Sequence, residues 1–200
     1  MKICSVLMGD ETRIQCNKEP GKKASSESFM WVVRIGSFEE IRAVLFHYAR
    51  TRSGAEAKRL YAGFSGYLVT DAWDSYEKVE GVTRALCWSH PRRYYIESIT
   101  LDSVGKELKG NKGAEAREMC DQLFKIEKQI QSLEPQERLE KRRELSQPVL
   151  EEFWSWVEEI SEKYTANESL KKSAAVQQKP EKIFEYVYGG RETADFEQRV

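Results

Sequence analysis

The chain has 200 residues, 40% of them hydrophobic and 32% charged, which is typical of a globular protein with a charged surface rather than a disordered one. Its 32 basic and 33 acidic residues give a net charge of −1, so any surface that binds nucleic acid must be local. No apolar run is long enough for a signal peptide or a membrane span, and the four cysteines lack paired spacing. We therefore expect a cytoplasmic protein with reduced cysteines and no membrane contact.

The first hundred residues predict a mixed α/β fold. Aromatic and β-branched runs predict five strands, at residues 3–8 continuing toward 14, 29–35, 43–48, 67–70 and 83–87. Turn residues follow each of the first three strands, which predicts an antiparallel meander. Before the fourth strand, Ser53 is a candidate cap for a short helix that presents Ala57, Leu60 and Tyr61 on its apolar face.

The second half of the sequence is helical in pattern. Two apolar stripes recur at steps of three and four residues on either side of Pro135, formed by Met119, Leu123, Ile126, Ile130 and Leu133, and by Leu145, Val149, Phe153, Trp156 and Ile160. Neither stripe sustains three heptads, which favours a packed helical hairpin over a partner-binding coiled coil. Periodicity fades after residue 164.

Two aspartates adjoin predicted core strands. Asp10 lies within the first strand, and Asp71 directly follows the fourth. A buried carboxylate is costly unless a cation or a basic partner compensates it. If the two strands are neighbours, these acids and a third from a later helix could hold Mg²⁺ for phosphodiester chemistry.

Spacing alone favours a structural role for these aspartates over a catalytic one. Asp71 could cap a helix that begins at Ala72-Trp73, because an acid after a strand is a common helix cap. Asp10 could pair with Arg13. The residue types and their spacing do not decide between the catalytic and the structural interpretation.

Several ordered segments carry a resemblance to a known family. They are Asp10-Glu11-Thr12, residues 19–24, 29–32, 51–54 and 63–71, and Cys87-Trp88-Ser89-His90-Pro91-Arg92-Arg93. In this order they closely resemble segments of the transposases of the insertion sequence 66 family. The resemblance implies a ribonuclease-H-like fold, with a mixed sheet of about five strands and helices followed by a long helical insertion.

The resemblance also implies organisation and function. Residues 1–100 correspond to the catalytic core, 101–165 to the helical insertion and 166–200 to a degenerate or truncated C-terminal segment. The implied activity is that of a DDE-type transposase, which uses Mg²⁺ or Mn²⁺, held by two aspartates and a glutamate, for DNA cleavage and strand transfer in DNA transposition. Asp10 matches the first aspartate of that family and Asp71 matches the second.

Two departures from the family pattern shape the prediction. The chain begins nine residues before Asp10, whereas family members carry DNA-binding segments there, and it lacks the family's Asn-Asn-x-x-Glu-Arg segment that supplies the third acid. Glu197 is the nearest substitute. We therefore expect a transposase fragment, truncated at both ends, whose standing as an active enzyme depends on the third acid. The alternatives are a non-catalytic DNA- or transposase-binding remnant and an unrelated metal-dependent phosphohydrolase.

Basic residues near the predicted site are candidate DNA contacts. They are His90, Arg92, Arg93, Arg50, Arg52, Lys22 and Lys23, which suit the phosphate backbone of transposon-end DNA. A structural histidine flanked by two surface arginines explains His90, Arg92 and Arg93 equally well. Cys87 and His90 form half of a zinc-ligand spacing without a second pair, so we predict no zinc. Full-length transposase or a second copy of the chain are further expected partners.

Overall fold

The computed structural model of the chain describes residues 4–37 and 39–163. Contacts divide the chain after Leu86. We call the described residues before this point the sheet unit and those after it the helical unit. Glu197 and the predicted segment 166–200 lie outside the described residues. None of the described helices is both long enough and apolar enough to cross a membrane.

The sheet unit contains five strands, one short α-helix and one 3₁₀ helix. They are β1 (Val6–Gln15), β2 (Glu27–Ile35), β3 (Val44–Ala49), α1 (Gly54–Leu60), β4 (Tyr67–Thr70), the 3₁₀ helix (Asp74–Lys78) and β5 (Thr83–Leu86). The strands form one sheet in the order β3-β2-β1-β4-β5. Strands β1, β2 and β3 are antiparallel neighbours, whereas β4 pairs in parallel with both β1 and β5. The predicted strands and meander are therefore confirmed.

The short helix α1 begins where the sequence predicted it. The Ser53 side chain accepts a hydrogen bond from the Glu56 backbone N–H at 3.3 Å, which satisfies one of the donors left free at a helix start. Ala57 and Tyr61 are completely buried, so the predicted apolar face of this helix packs into the core. Arg52 directly precedes the cap and is thereby held next to a fixed helix start.

An aromatic group forms the centre of the sheet unit. Trp31 on β2 is completely buried, and its ring lies 5.9 Å from that of Tyr76 and 6.1 Å from that of Trp73. Tyr61 packs against Tyr76 at 6.1 Å. Tilted and edge-on contacts at such distances are favourable in addition to the burial of apolar area. The core thus connects the central strands to the segment that follows β4.

Gly9 allows β1 to pass closely beneath Tyr61, and we expect Gly9→Ala to destabilise the sheet unit by about 1–3 kcal/mol. An added Cβ would lie 2.0 Å from the Tyr61 hydroxyl, and the buried ring has little room to move. Urea unfolding followed by circular dichroism measures this loss. Adding Tyr61→Phe to Gly9→Ala should recover part of it, because the clashing oxygen is gone. A strictly additive double variant would contradict this explanation.

The helical unit contains α2 (Ser89–Ser98), α3 (Lys112–Ile130) and α4 (Pro135–Lys163). The Asn111 side chain caps α3 by accepting hydrogen bonds from the Gly113 and Ala114 backbone N–H groups, at 3.0 and 3.3 Å. The two predicted helices joined near Pro135 are confirmed. Leu133 is not part of α3 and lies in the short connection to α4.

The buried stripe of α4 contains the predicted Phe153, Trp156 and Ile160 but differs from the prediction in the first half of the helix. Its buried residues recur at steps of three and four, and they are Leu139, Arg142, Ser146, Leu150, Phe153, Val157 and Ile160, with Arg138 and Trp156 beside them. Arg142, only 6% exposed, donates two hydrogen bonds of 2.8 Å to the Glu127 carboxylate on α3. Leu145 and Val149 are half-buried instead. Arg142 and Ser146 are polar but buried, so the hydrophobic pattern placed this part of the stripe one residue away from the observed positions.

Candidate active site

The two predicted aspartates follow the paired segments of two neighbouring parallel strands. Val6 on β1 pairs with Tyr67 on β4, and the register continues to the pair of Met8 with Val69. Asp10 follows Met8 by two residues, and Asp71 follows Val69 by two residues. The condition on which the sequence prediction depended, that the two strands are neighbours, is therefore met. Whether the two acids are catalytic stays a prediction.

Asp71 occupies the turn immediately after β4, and both of its carboxylate oxygens accept hydrogen bonds. Oδ1 accepts from the Trp73 backbone N–H at 3.1 Å, and Oδ2 accepts from Nη2 of Arg52 at 3.1 Å. The 3₁₀ helix begins only at Asp74, and its N-cap residue, Trp73, makes no side-chain cap. Asp71 therefore stabilises the turn before that helix. The structural alternative, in which Asp71 caps a helix that begins at Ala72, is wrong.

Glu11 is a second acid beside Asp71, and the sequence prediction did not include it. Its side chain is 1% exposed. It accepts hydrogen bonds from Nε of Arg52 and from the Tyr76 hydroxyl. Burial raises the pKa of Glu11, although the Tyr76 hydrogen bond and the Arg52 charge act in the opposite direction. Arg52 thus joins the two acids, and we call this arrangement the Glu11–Arg52–Asp71 bridge.

Strand alternation explains why Glu11 is the buried acid. Side chains along a strand alternate between the two faces, so Glu11 shares a face with Leu7 and lies opposite Trp31 on β2. Leu7 and Trp31 are both completely buried. Alternation was the signal that could have identified Glu11. It was ambiguous because Val6, Leu7 and Met8 place apolar side chains on both faces.

The arginines around Asp71 are held by aromatic rings and backbone groups. The Arg52 guanidinium lies 3.9 Å from the centre of the Trp73 ring, close enough for a cation–π contact. Arg84 donates to the Asp71 carbonyl oxygen at 2.9 Å and to the Thr70 hydroxyl at 3.2 Å. Burial lowers the pKa of Arg84. Arg52, predicted as a DNA contact, therefore contacts the acids of the site.

Asp10 is exposed, in contrast to Glu11. Its Oδ1 accepts a hydrogen bond from the Glu11 backbone N–H at 2.9 Å. Burial raises the pKa of Tyr61, and the charges of Glu11 and Asp10 raise it further, so both acids act electrostatically on the same hydroxyl. Arg13, considered above as a partner of Asp10, forms an ion pair with Glu27 at 3.3 Å.

These carboxylates are of the right chemical type for a hard divalent cation. Mg²⁺ and Mn²⁺ prefer oxygen ligands, and Asp71 with the neighbouring acids of β1 offers them next to a cation that is already present, Arg52. Within residues 4–37 and 39–163, however, no group of three or more His, Cys, Asp or Glu side chains is placed to hold a metal ion. The donor types therefore suit such a cation, but a cation bound here would need further ligands beyond these acids.

The other basic residues of the sheet unit that were predicted to contact DNA differ in whether their donors are available to a phosphate. Lys22 donates three hydrogen bonds inside the fold, to the Glu27 carbonyl, the Ser28 hydroxyl and the Arg50 carbonyl, at 2.7, 2.7 and 2.8 Å. A lysine ammonium has three donors, so this one has none left for a phosphate in this conformation. Arg50 pairs with Glu19 at 2.6 Å but is 54% exposed, and Lys23 is exposed.

The remaining predicted DNA contacts lie on α2 of the helical unit. Arg92 donates to Asp121 on α3 at 2.6 Å, which indicates a role in holding the two helices together. Arg93 is exposed and His90 is half-buried. Burial alone would raise the pKa of the Cys87 thiol, but hydrogen bonds with His90 and Ser89 outweigh it and lower that pKa. The His90 backbone N–H also donates to the Cys87 carbonyl oxygen at 3.2 Å.

Comparison with known proteins gives a family match and two relatives. The family model described as "Transposase IS66 family" matches residues 3–195. Two proteins of Sinorhizobium fredii (strain NBRC 101917 / NGR234) are similar. "Uncharacterized protein y4hP" is 28% identical over 128 residues, which are 58% of this chain and 23% of that protein. "Uncharacterized protein y4jD" is 22% identical over 180 residues, which are 84% of this chain and 34% of that protein.

The matched part of the chain thus spans 23% of the length of one relative and 34% of that of the other. No solved structure gives a significant match. The family match, by contrast, covers almost every residue, including both predicted acids and the helical segment. The chain therefore belongs to the IS66 family of transposases.

Proposed function

We propose that this chain acts in DDE-type, metal-dependent DNA cleavage and strand transfer, with Asp10 and Asp71 as the first two catalytic acids. The observation that carries the proposal is the parallel pairing of β1 with β4, because Asp10 and Asp71 each follow the last paired residues, Met8 and Val69, by two positions. Family membership supports it, because Asp10 and Asp71 match the acids of the resembled motif.

A ribonuclease-H-like fold is part of the same proposal. The five-stranded mixed sheet supports it, as does the run of helices that begins after β5. In this arrangement the acid of β1 and the acid after β4 come from adjacent strands at the core of the sheet. Rigid strands position catalytic groups more accurately than loops do, which suits a site that must hold two carboxylates close together.

The chain's own residues have separable roles in this site. A bound divalent ion would activate the attacking hydroxyl or water and stabilise the leaving oxygen of the phosphodiester. Asp10 and Asp71 would hold that ion, and Glu197 is our candidate for the third acid. Arg84 fixes the backbone at Asp71 through its carbonyl oxygen. Arg50 and Lys23, which are exposed, suit the phosphate backbone of the DNA.

A nicking assay on DNA that carries transposon ends tests this function. We expect the full 200-residue chain to produce single-strand breaks with Mg²⁺ or Mn²⁺ and none with EDTA. The strand-transfer product, in which a cut end is joined to a second DNA molecule, should appear only where nicking occurs. Metal-independent nicking, or complete inactivity with both ions, would contradict the proposal.

A second candidate function is binding without catalysis, to DNA or to a full-length transposase. It is favoured by the lack, within the described parts of the chain, of a group of three metal-ligating side chains. Mobility-shift titrations at several salt concentrations separate the two functions. Salt-dependent DNA binding without nicking would favour the binding function, since each phosphate contact contributes roughly −0.9 to the slope of log affinity against log salt.

A further inference from the structure

Arg52 occupies a position between two acids where a cation is required. Its Nε donates to Glu11, and its Nη2 lies 3.1 Å from Oδ2 of Asp71. The flat face of the guanidinium rests on Trp73 at 3.9 Å, and the side chain is still 32% exposed. One end of the guanidinium is therefore anchored in the core, and the other reaches the acid at the edge of the site.

The two contacts differ in how easily they can be exchanged. Glu11 is 1% exposed, and leaving its carboxylate without a compensating cation would be costly. Asp71 is 19% exposed, so water or a metal ion can reach it with less loss. The contact with Glu11 and the stacking on Trp73 therefore anchor Arg52, while its hydrogen bond with Asp71 is the exchangeable one.

We propose that Arg52 is a cation placeholder, which holds Asp71 in the metal-free chain and releases it when a divalent cation binds there. This inference rests on the proposed function, because it assumes that Asp71 is a metal ligand. A guanidinium and a divalent cation compete for the same carboxylate oxygens and repel each other at short range. Anchored on Glu11 and Trp73, the released Nη2 stays at the site and can donate to a phosphate oxygen of the DNA.

The placeholder makes Arg52 a positioning residue with two effects on metal binding. It prevents repulsion between Glu11 and Asp71 in the absence of metal, and it lowers the apparent affinity for the metal. If the Arg52-bound form makes up about nine tenths of the metal-free molecules, removing it raises the apparent affinity about tenfold. A residue that was merely structural would have the opposite effect, because a disturbed site binds metal more weakly.

Titration of Mn²⁺ into the full chain by calorimetry tests the proposal. Arg52→Gln should bind Mn²⁺ about tenfold more tightly than the wild type. Mn²⁺ should also raise the thermal unfolding midpoint of Arg52→Gln by more than it raises the midpoint of the wild type. Arg13→Gln is the matched control, because Arg13 is an exposed arginine whose ion pair is with Glu27, and the variant should bind Mn²⁺ like the wild type.

Arg52→Lys covers the case in which the glutamine variant does not fold. Lysine keeps the charge but lacks the fork that reaches both acids, so its Mn²⁺ affinity should also exceed that of the wild type. Equal or weaker Mn²⁺ binding by the variants, with clear binding by the wild type, would overturn the placeholder alone. Absence of Mn²⁺ binding in every folded variant and in the wild type would overturn the proposed function as well.

Discussion

Replacing Asp71 with asparagine is expected to lower Mn²⁺ affinity and metal-dependent nicking by about 100-fold or more. The carboxylate provides charge to a divalent ion, and its loss removes several kcal/mol of stabilisation, at about 1.4 kcal/mol for each factor of ten. Asparagine has the same shape and keeps an oxygen that can accept the 3.1 Å hydrogen bond from the Trp73 backbone. The turn after β4 should therefore survive the substitution.

Calorimetric titration with Mn²⁺ and the nicking assay, performed on the same preparations, measure this effect. Asp74→Asn is the matched control, because Asp74 is an exposed acid three residues along the chain, at the start of the 3₁₀ helix. It should leave both measurements unchanged. Mn²⁺ affinity and nicking within twofold of the wild type in Asp71→Asn would show that the acid is structural, as the capping alternative proposed.

Secondary structure and the meander of the first three strands were accessible from the sequence where local signals agreed. Strand β4 was predicted with its observed bounds, Tyr67–Thr70, because a short apolar run stands between clear turn residues. The Ser53 cap was predicted because a hydroxyl residue precedes an apolar pattern of helical spacing. In each case the deciding interactions lie within a few residues along the chain.

The contacts of the site were not accessible in the same way. Glu11 and Arg52 are 41 residues apart in sequence, and no local pattern indicates that a buried glutamate will meet an arginine from a loop. Arg52 was predicted as a DNA contact because an exposed arginine near an acidic site is a reasonable phosphate ligand. Its observed partners depend on the pairing of β1 with β4, which only the tertiary structure provides.

The helical unit shows the same limit in its core. Arg142 is buried and paired with Glu127 on α3. A hydrophobic periodicity cannot include an arginine, so the predicted stripe passed through Leu145 and Val149 instead of Ser146 and Leu150. In both units, therefore, the prediction failed where an arginine forms a buried ion pair, with Glu11 in the sheet unit and with Glu127 in the helical unit.

The second large expected effect concerns the core below the site, at Trp31. Trp31→Ala should lower the free energy of unfolding by about 3–5 kcal/mol, because it removes a completely buried ring from the centre of the sheet unit. Domains of this size are stable by only about 5–15 kcal/mol, so the variant would be close to unfolding. Phe46→Ala on the edge strand β3 is the control, since Phe46 is 67% exposed.

Trp31→Ala should also weaken metal binding, because Trp31 supports the site through other side chains. Its ring packs against Trp73, on which Arg52 rests, and against Tyr76, which donates to Glu11. Urea unfolding by circular dichroism gives the stability, and Mn²⁺ titration at low temperature gives the binding. Trp31→Phe should retain most of both, because a smaller ring still supports the two aromatic neighbours. A Trp31→Ala variant that is destabilised but binds Mn²⁺ like the wild type would show that the acids are positioned by the strands alone.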